Sequence, residues 1–130
     1  MKILIVGGLK EAYFLTKSLK SKGHDITVVN QDIECCQMLA DSFEVMAVNG
    51  DGTDVSILEC ACSRGVDLVI ALSGLDSENL VICEIAKKRF HVKETLAVVN
   101  DPRNIRTFEN LGVDSCVSIA SVINDRIAAR

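Results

Sequence analysis

The chain has 130 residues, with 18 acidic against 14 basic side chains, a formal charge of −4 and 48% hydrophobic residues. That length suits one domain with a single sizeable core, and the acidic balance argues against nucleic-acid binding, which calls for a concentrated basic surface. No apolar stretch approaches the roughly eighteen residues of a membrane span. Met1-Lys2 leads straight into a strand without the apolar region and cleavage site of a secretory signal, so a cytoplasmic location is expected.

Short runs rich in Val, Ile and Leu alternate with amphipathic segments from one end to the other. The runs read as strands at Lys2–Val6, Asp25–Asn30, Glu44–Val48, Asp67–Leu72, Thr95–Asn100 and Asp114–Val117, and their composition fits strands buried on both faces. A first helix sets Ala12, Leu15 and Leu19 on one face and stops at Gly23. A second follows Asp32 and carries Ile33, Cys36 and Leu39. The third starts on Asp54 as N-cap, with Ile57, Leu58 and Ala61 inward. "VNGDGTD" contains hairpin dipeptides, but the helical periodicity of "TDVSILECA" makes its glycines a strand-to-helix loop. The fourth helix runs from about Asp76 to Phe90. The fifth opens with the cap-and-proline pair Asp101-Pro102 and ends at Gly112. A sixth covers roughly residues 120–129. Lys10, Lys17, Lys20 and Lys22, and again Lys87-Lys88-Arg89, read as solvated helix faces.

Six cysteines (Cys35, Cys36, Cys60, Cys62, Cys83 and Cys116) include no C-x-x-C, and neither His24 nor His91 lies near one in sequence. Buried free thiols are expected rather than disulfides or a metal site.

Six β-α repeats with short connections imply a parallel sheet covered on both faces, with right-handed crossovers. The fold class is therefore α/β: a single Rossmann-type, doubly wound domain over residues 1–130 with six parallel strands. In such sheets the ligand lies beyond the carboxyl ends of the strands, where strand order reverses. Those ends here are Gly7-Gly8-Leu9-Lys10, Asn30-Gln31, Asn49-Gly50-Asp51-Gly52-Thr53, Ser73-Gly74 and Asn100-Asp101, a polar crest on an apolar sheet. The first helix's amino end favours a phosphate, and Lys10 adds a positive charge beside it. Asn30 is placed to meet a ribose hydroxyl, and Asp51 and Thr53 a base edge. The alternative is that small residues at strand ends only turn the chain.

The stretches "GHDITVVNQD", "VNGDGTDVSILECA", "DLVIALSGLDSENLVICEIAKKRF" and "VVNDPRNIRTFENLGVDSCVS" follow one another in an order that resembles the TrkA-N or RCK (regulator of potassium conductance) family. The "GDGTD" loop followed by "DLVIALS" and "NL" is the specific combination. The resemblance implies a soluble regulatory module binding NAD(H) or an adenine mononucleotide (ATP, ADP or AMP). It also implies pairing with a second copy and gating of a membrane potassium transporter or channel. The family's ligand positions fall on Gly7 to Glu11, Asn30, Asp51 to Thr53 and Ser73-Gly74, with Asn100 beside them.

The chain departs from a full G-x-G-x-x-G fingerprint. Leu9 stands where a glycine lets the backbone approach a pyrophosphate, Ala12 where the third glycine packs helix on strand, and Asn30 where an acidic residue holds the ribose. No arginine follows Asn30 closely to meet a 2′-phosphate. These departures imply weakened dinucleotide binding, or a switch to a mononucleotide. Two other functions compete. A ligand-free scaffold paired with an intact partner fits the altered loop but not the retained Lys10 and Asp51-Gly52-Thr53. An NAD-dependent oxidoreductase shares the fold, but neither histidine lies at the crest to serve as acid or base. No catalysis is expected. In the last helix Val122, Ile123 and Ile127 form an apolar stripe suited to the domain's own sheet or to a homodimer.

Overall fold

The computed structural model describes all 130 residues. Strand β1 (Lys2–Val6) is one of the two middle strands of the sheet, and Ile3, Leu4, Ile5 and Val6 are all buried. The reason is its position. It pairs in parallel with β2 (Asp25–Asn30) on one side and β4 (Leu68–Ala71) on the other, with Val6 level with Val29 and Ala71. Strands β3 (Met46–Asn49), β5 (Glu94–Val98) and β6 (Ser115–Val117) extend the sheet to the order β3-β2-β1-β4-β5-β6. Every pairing is parallel. Strand order therefore reverses between β1 and β4, the point at which doubly wound sheets open a crevice.

Alternation along the strands divides the core in two. Ile3 and Ile5 face one layer with Ala12 of α1 (Lys10–Ser21) and Cys35 and Leu39 of α2 (Ile33–Phe43). Leu4 and Val6 face the other. There they meet Leu58 of α3 (Val55–Ala61), Ile82 and Ala86 of α4 (Asp76–Phe90), and Phe108 of α5 (Ile105–Asn110). Helix α6 (Ile119–Ala128) buries no residue. No helix is long and apolar enough to cross a membrane.

The caps follow the sequence closely. Asp32 accepts from the Cys35 N–H, Asp54 from Ser56, and Asp101 from Arg103, satisfying amide groups that a helix start leaves orphaned. Pro102 opens a short 3₁₀ turn (Pro102–Asn104) that feeds α5, so the expected single fifth helix has two parts. Glu44 does not begin a strand. It is the left-handed cap of α2 (φ 55°), and β3 starts two residues later. Ile33, the first helical residue of α2, is exposed, while Cys35, Cys36 and Leu39 form the buried face. All six thiols are free, but only Cys35, Cys36 and Cys83 are buried. Cys62 and Cys116 are half-buried, and Cys60 lies exposed on α3. Burial pushes the Cys83 thiol up to about 12 and Cys62 to about 11.

Candidate functional site

Two consecutive residues after β1 occupy the left-handed region: Gly7 at φ 85° and Gly8 at φ 76°. A side chain at Gly7 would also place its Cβ 2.9 Å from the backbone nitrogen of Ser73, at the tip of the neighbouring β4. The tight turn thus rests on adjacent glycines, with no glycine required at position 9. Leu9 has a negative φ of −129°, with ψ −77°, so it needs none of glycine's access to positive φ, and it serves as the N-cap of α1. Its side chain is 55% exposed at the rim.

The amino ends of α1 and α4 both border the crest, and neither has a side-chain cap. The ends of α2, α3 and α6 are capped by Asp32, Asp54 and Ser118. No side-chain cap occupies the first-turn N–H groups of α1, which suits them to an anion, and that turn carries both Lys10 and the acidic Glu11.

Asn30 ends β2 and is almost fully buried. Its Nδ2 donates to the Gly8 carbonyl at 2.7 Å and its Oδ1 accepts from the Asp32 N–H at 3.0 Å. The amide thus ties the tip of β2 to the glycine loop, leaving one donor hydrogen and one lone pair for other partners. Asn49 holds the adjacent chain, its Nδ2 donating to the Asn30 and Gln31 carbonyls.

After β3, Asp51 turns inward on its own loop: Oδ1 accepts from the Thr53 N–H at 2.9 Å and from Thr53 Oγ1 at 2.8 Å. Gly52 is buried against β1, where an added Cβ would stand 2.3 Å from Val6 Cγ1. The loop can cross the sheet edge only because that position has no side chain.

Beyond β4, Asn79 is fully buried and fully engaged. It accepts from the Ser73 N–H and donates to the carbonyls of Ser73 and Val98, locking the ends of β4 and β5 together. Ser73 Oγ donates to Glu78 Oε2 at 2.6 Å. Asp76 accepts from the backbone N–H of Asn100 and Asp101 and from the side-chain amides of Asn100 and Asn104. Partial burial alone would raise the Asp76 carboxyl, but these four donors outweigh it and hold it below the usual carboxylate range.

Together these elements enclose an open cleft of about 1060 Å³. Gly7, Gly8, Leu9, Lys10 and Glu11 line one wall, Asn30 and Gln31 the β2 side, and Ser73, Gly74 and Asn100 the β4–β5 side. A small inner pocket of about 30 Å³ adds Asp51 and Gly52 to Gly7, Asn30, Gln31 and Ser73. Thr53 lines neither space; its hydroxyl is spent on Asp51. Sequence reasoning overlooked Glu78, which lines both spaces, and the apolar contributors Phe14, Val117 and Ile119. Phe14 and Ile119 are among the most exposed large apolar side chains of the chain, and an aromatic off the buried face of α1 was the available signal.

The TrkA-N domain family matches residues 3–119, and the chain belongs to that family. A Trk system potassium uptake protein TrkA homolog of Methanothermobacter thermautotrophicus is 30% identical over 91% of the chain, and TrkA of Mycobacterium tuberculosis is 32% identical over 98%. These alignments take in 54% and 60% of the relatives, so the chain spans little more than half their length. Among solved structures, the TrkA-N domain of the inner membrane protein ybaL from Escherichia coli superposes with a TM-score of 0.89. It is 17% identical, over 98% of this chain and 94% of that one. The GsuK channel bound to NAD gives 0.74 at 25% identity, over 89% of this chain and 21% of the channel, and GsuK has also been solved bound to ADP.

Proposed function

We propose that this TrkA-N domain is a non-catalytic regulatory module that binds an adenine nucleotide and transmits its occupancy to a membrane potassium transporter. The observation that carries the reading is the cleft at the β1–β4 reversal, where the Gly7-Gly8 turn leads into the uncapped amino end of α1 beside Lys10. That arrangement offers backbone donors, a helix dipole and an exposed cation to a phosphate. Asn30 and Gln31 stand on the β2 side for the ribose and Asp51-Gly52 beneath them, while Ser73, Gly74 and Asn100 bound the far side. The ligand is NAD(H) or AMP, ADP or ATP, and the structures of GsuK with NAD and with ADP support that class. The non-catalytic part of the reading rests on the likeness to the Trk potassium uptake proteins. The transporter partner and a cytoplasmic setting at the inner membrane face rest on the likeness to the Trk potassium uptake proteins.

A homodimer is part of the same proposal. Ile119, Val122, Ile123 and Ile127 of α6 are all exposed, and a second copy would cover that stripe. Sedimentation at tens of micromolar is expected to give a dimer, and a strict monomer would count against it.

The ligand-free scaffold remains the second reading, favoured by the leucine at the α1 N-cap. Thermal melts with and without NADH, NAD, AMP, ADP and ATP separate the two, since a ligand that binds only the native state raises the midpoint. No shift with any nucleotide, and no heat in calorimetric titration, would favour the scaffold.

A further inference from the structure

Glu78 is the one acidic side chain lining both the wide cleft and the inner pocket. It stands in the first turn of α4, half-buried, facing the glycine loop across the strand reversal. A short relay fixes it: the Leu75 N–H donates to Ser73 Oγ at 3.2 Å, and Ser73 Oγ donates to Glu78 Oε2 at 2.6 Å. Its other oxygen has no protein donor, and none of the chain's three ion pairs includes it. Lys10 is the only basic group lining the cleft, against Glu11, Asp32 and Glu78, with Asp51 in the inner pocket.

A site for a polyphosphate would normally carry excess positive charge. This one carries the opposite balance. The amino end of α1 and Lys10 can compensate the phosphate that sits over them. Any further phosphate charge approaching the α4 wall meets a fixed carboxylate in a partly desolvated crevice, where repulsion is stronger than in water. A sugar hydroxyl arriving at the same place has a hydrogen to give to the open carboxylate oxygen.

We propose that Glu78, held in place by Ser73, makes the cleft select against terminal phosphate charge, so that NADH and AMP bind ahead of ADP and ATP. The inference rests on the nucleotide reading above and deepens it. Negative charge rises from AMP through ADP to ATP, whereas NADH has a bridged pyrophosphate, no terminal phosphate and a second ribose.

The test is calorimetric titration of AMP, NADH, ADP and ATP, each with and without magnesium, into the chain and into Glu78→Gln. Glutamine keeps an acceptor for Ser73, Glu78→Ala repeats the test without one, and melting curves verify folding. Glu59→Gln, on the exposed side of α3, controls for net charge. The chain is expected to prefer AMP over ATP, and both Glu78 variants to narrow that ratio by at least about tenfold through tighter ATP, while Glu59→Gln leaves it unchanged. Equal affinity for AMP and ATP, an unaltered ratio in the Glu78 variants, or magnesium-dependent ATP binding that disappears in Glu78→Gln would overturn the inference alone. Absence of binding by every nucleotide to every variant would remove the nucleotide reading, and the inference with it.

Discussion

The side-chain amide of Asn30 donates to the carbonyl of Gly8 across 2.7 Å, joining the end of β2 to the loop that follows β1. A carboxylate at this position has no hydrogen to give and would set two oxygens against each other. Asparagine here therefore holds the loop's shape, whatever it offers a ligand. Asn30→Asp is expected to lose about 1–3 kcal/mol of stability in urea unfolding. It should also weaken NADH binding, although it restores the acidic residue common in dinucleotide sites. Tighter NADH binding with unchanged stability would contradict this account.

Gly7 and Gly23 have similar positive φ values, 85° and 90°, but different surroundings. Nothing lies within 4 Å of a Cβ at Gly23, whereas one at Gly7 meets the Ser73 backbone. Gly23→Ala should cost about 1 kcal/mol from backbone strain alone. Gly7→Ala should cost at least about 2 kcal/mol, because the loop or β4 must also shift. Equal losses in parallel denaturation curves would show that the close approach is not limiting.

Leu9 lines the cleft beside the free amides of α1. On the proposed reading that a bridged pyrophosphate lies over these amides, Leu9→Ala is expected to tighten NADH several-fold and to change AMP little. Alanine adopts this position's negative φ as readily as leucine, so the substitution changes side-chain bulk and not the backbone's demand. An equal gain for both ligands would point to a general opening of the rim, and no gain to a leucine that already swings clear.

Asp76 organises the loop after β5 through four donors that keep its carboxyl below the ordinary range despite partial burial. Its folded pKa is lower than its unfolded one. The stability it supplies is therefore present above about pH 4 and is lost as pH falls through the folded value. Asp76→Ala should destabilise the chain by about 2 kcal/mol at pH 7 and flatten this part of the acid limb, measured by urea midpoints from pH 6 to pH 3. An unchanged slope would assign the acid sensitivity to another carboxylate, Asp114 being the next candidate through its Lys87 pair at 2.8 Å.

Much of the site was legible because a strand buried on both faces must end where the chain needs turning groups. The crest residues Gly7, Asn30, Gly52 and Ser73 were found by that reasoning, and the structure gathers them around one opening. Less was legible where a side chain's partner lies far along the chain. Nothing local to Asn30 reveals that its amide is bound to Gly8, twenty-two residues earlier. Thr53 sits among good candidates, yet its hydroxyl closes a turn with Asp51. Glu78 carries no local mark beyond its place in the first turn of a helix, and only the pairing of β1 with β4 brings it to the glycine loop.

The sequence by itself determined the alternation of elements, the caps and the family, because hydrophobic period and local hydrogen-bonding chemistry act over a few residues. It also set the left-handed turn, which the adjacent glycines Gly7 and Gly8 can adopt freely. Only the tertiary structure decided which polar groups remain available and which charges meet. Those depend on strand order β3-β2-β1-β4-β5-β6, which brings distant segments within hydrogen-bond reach, where each donor is either spent on the fold or left for a ligand.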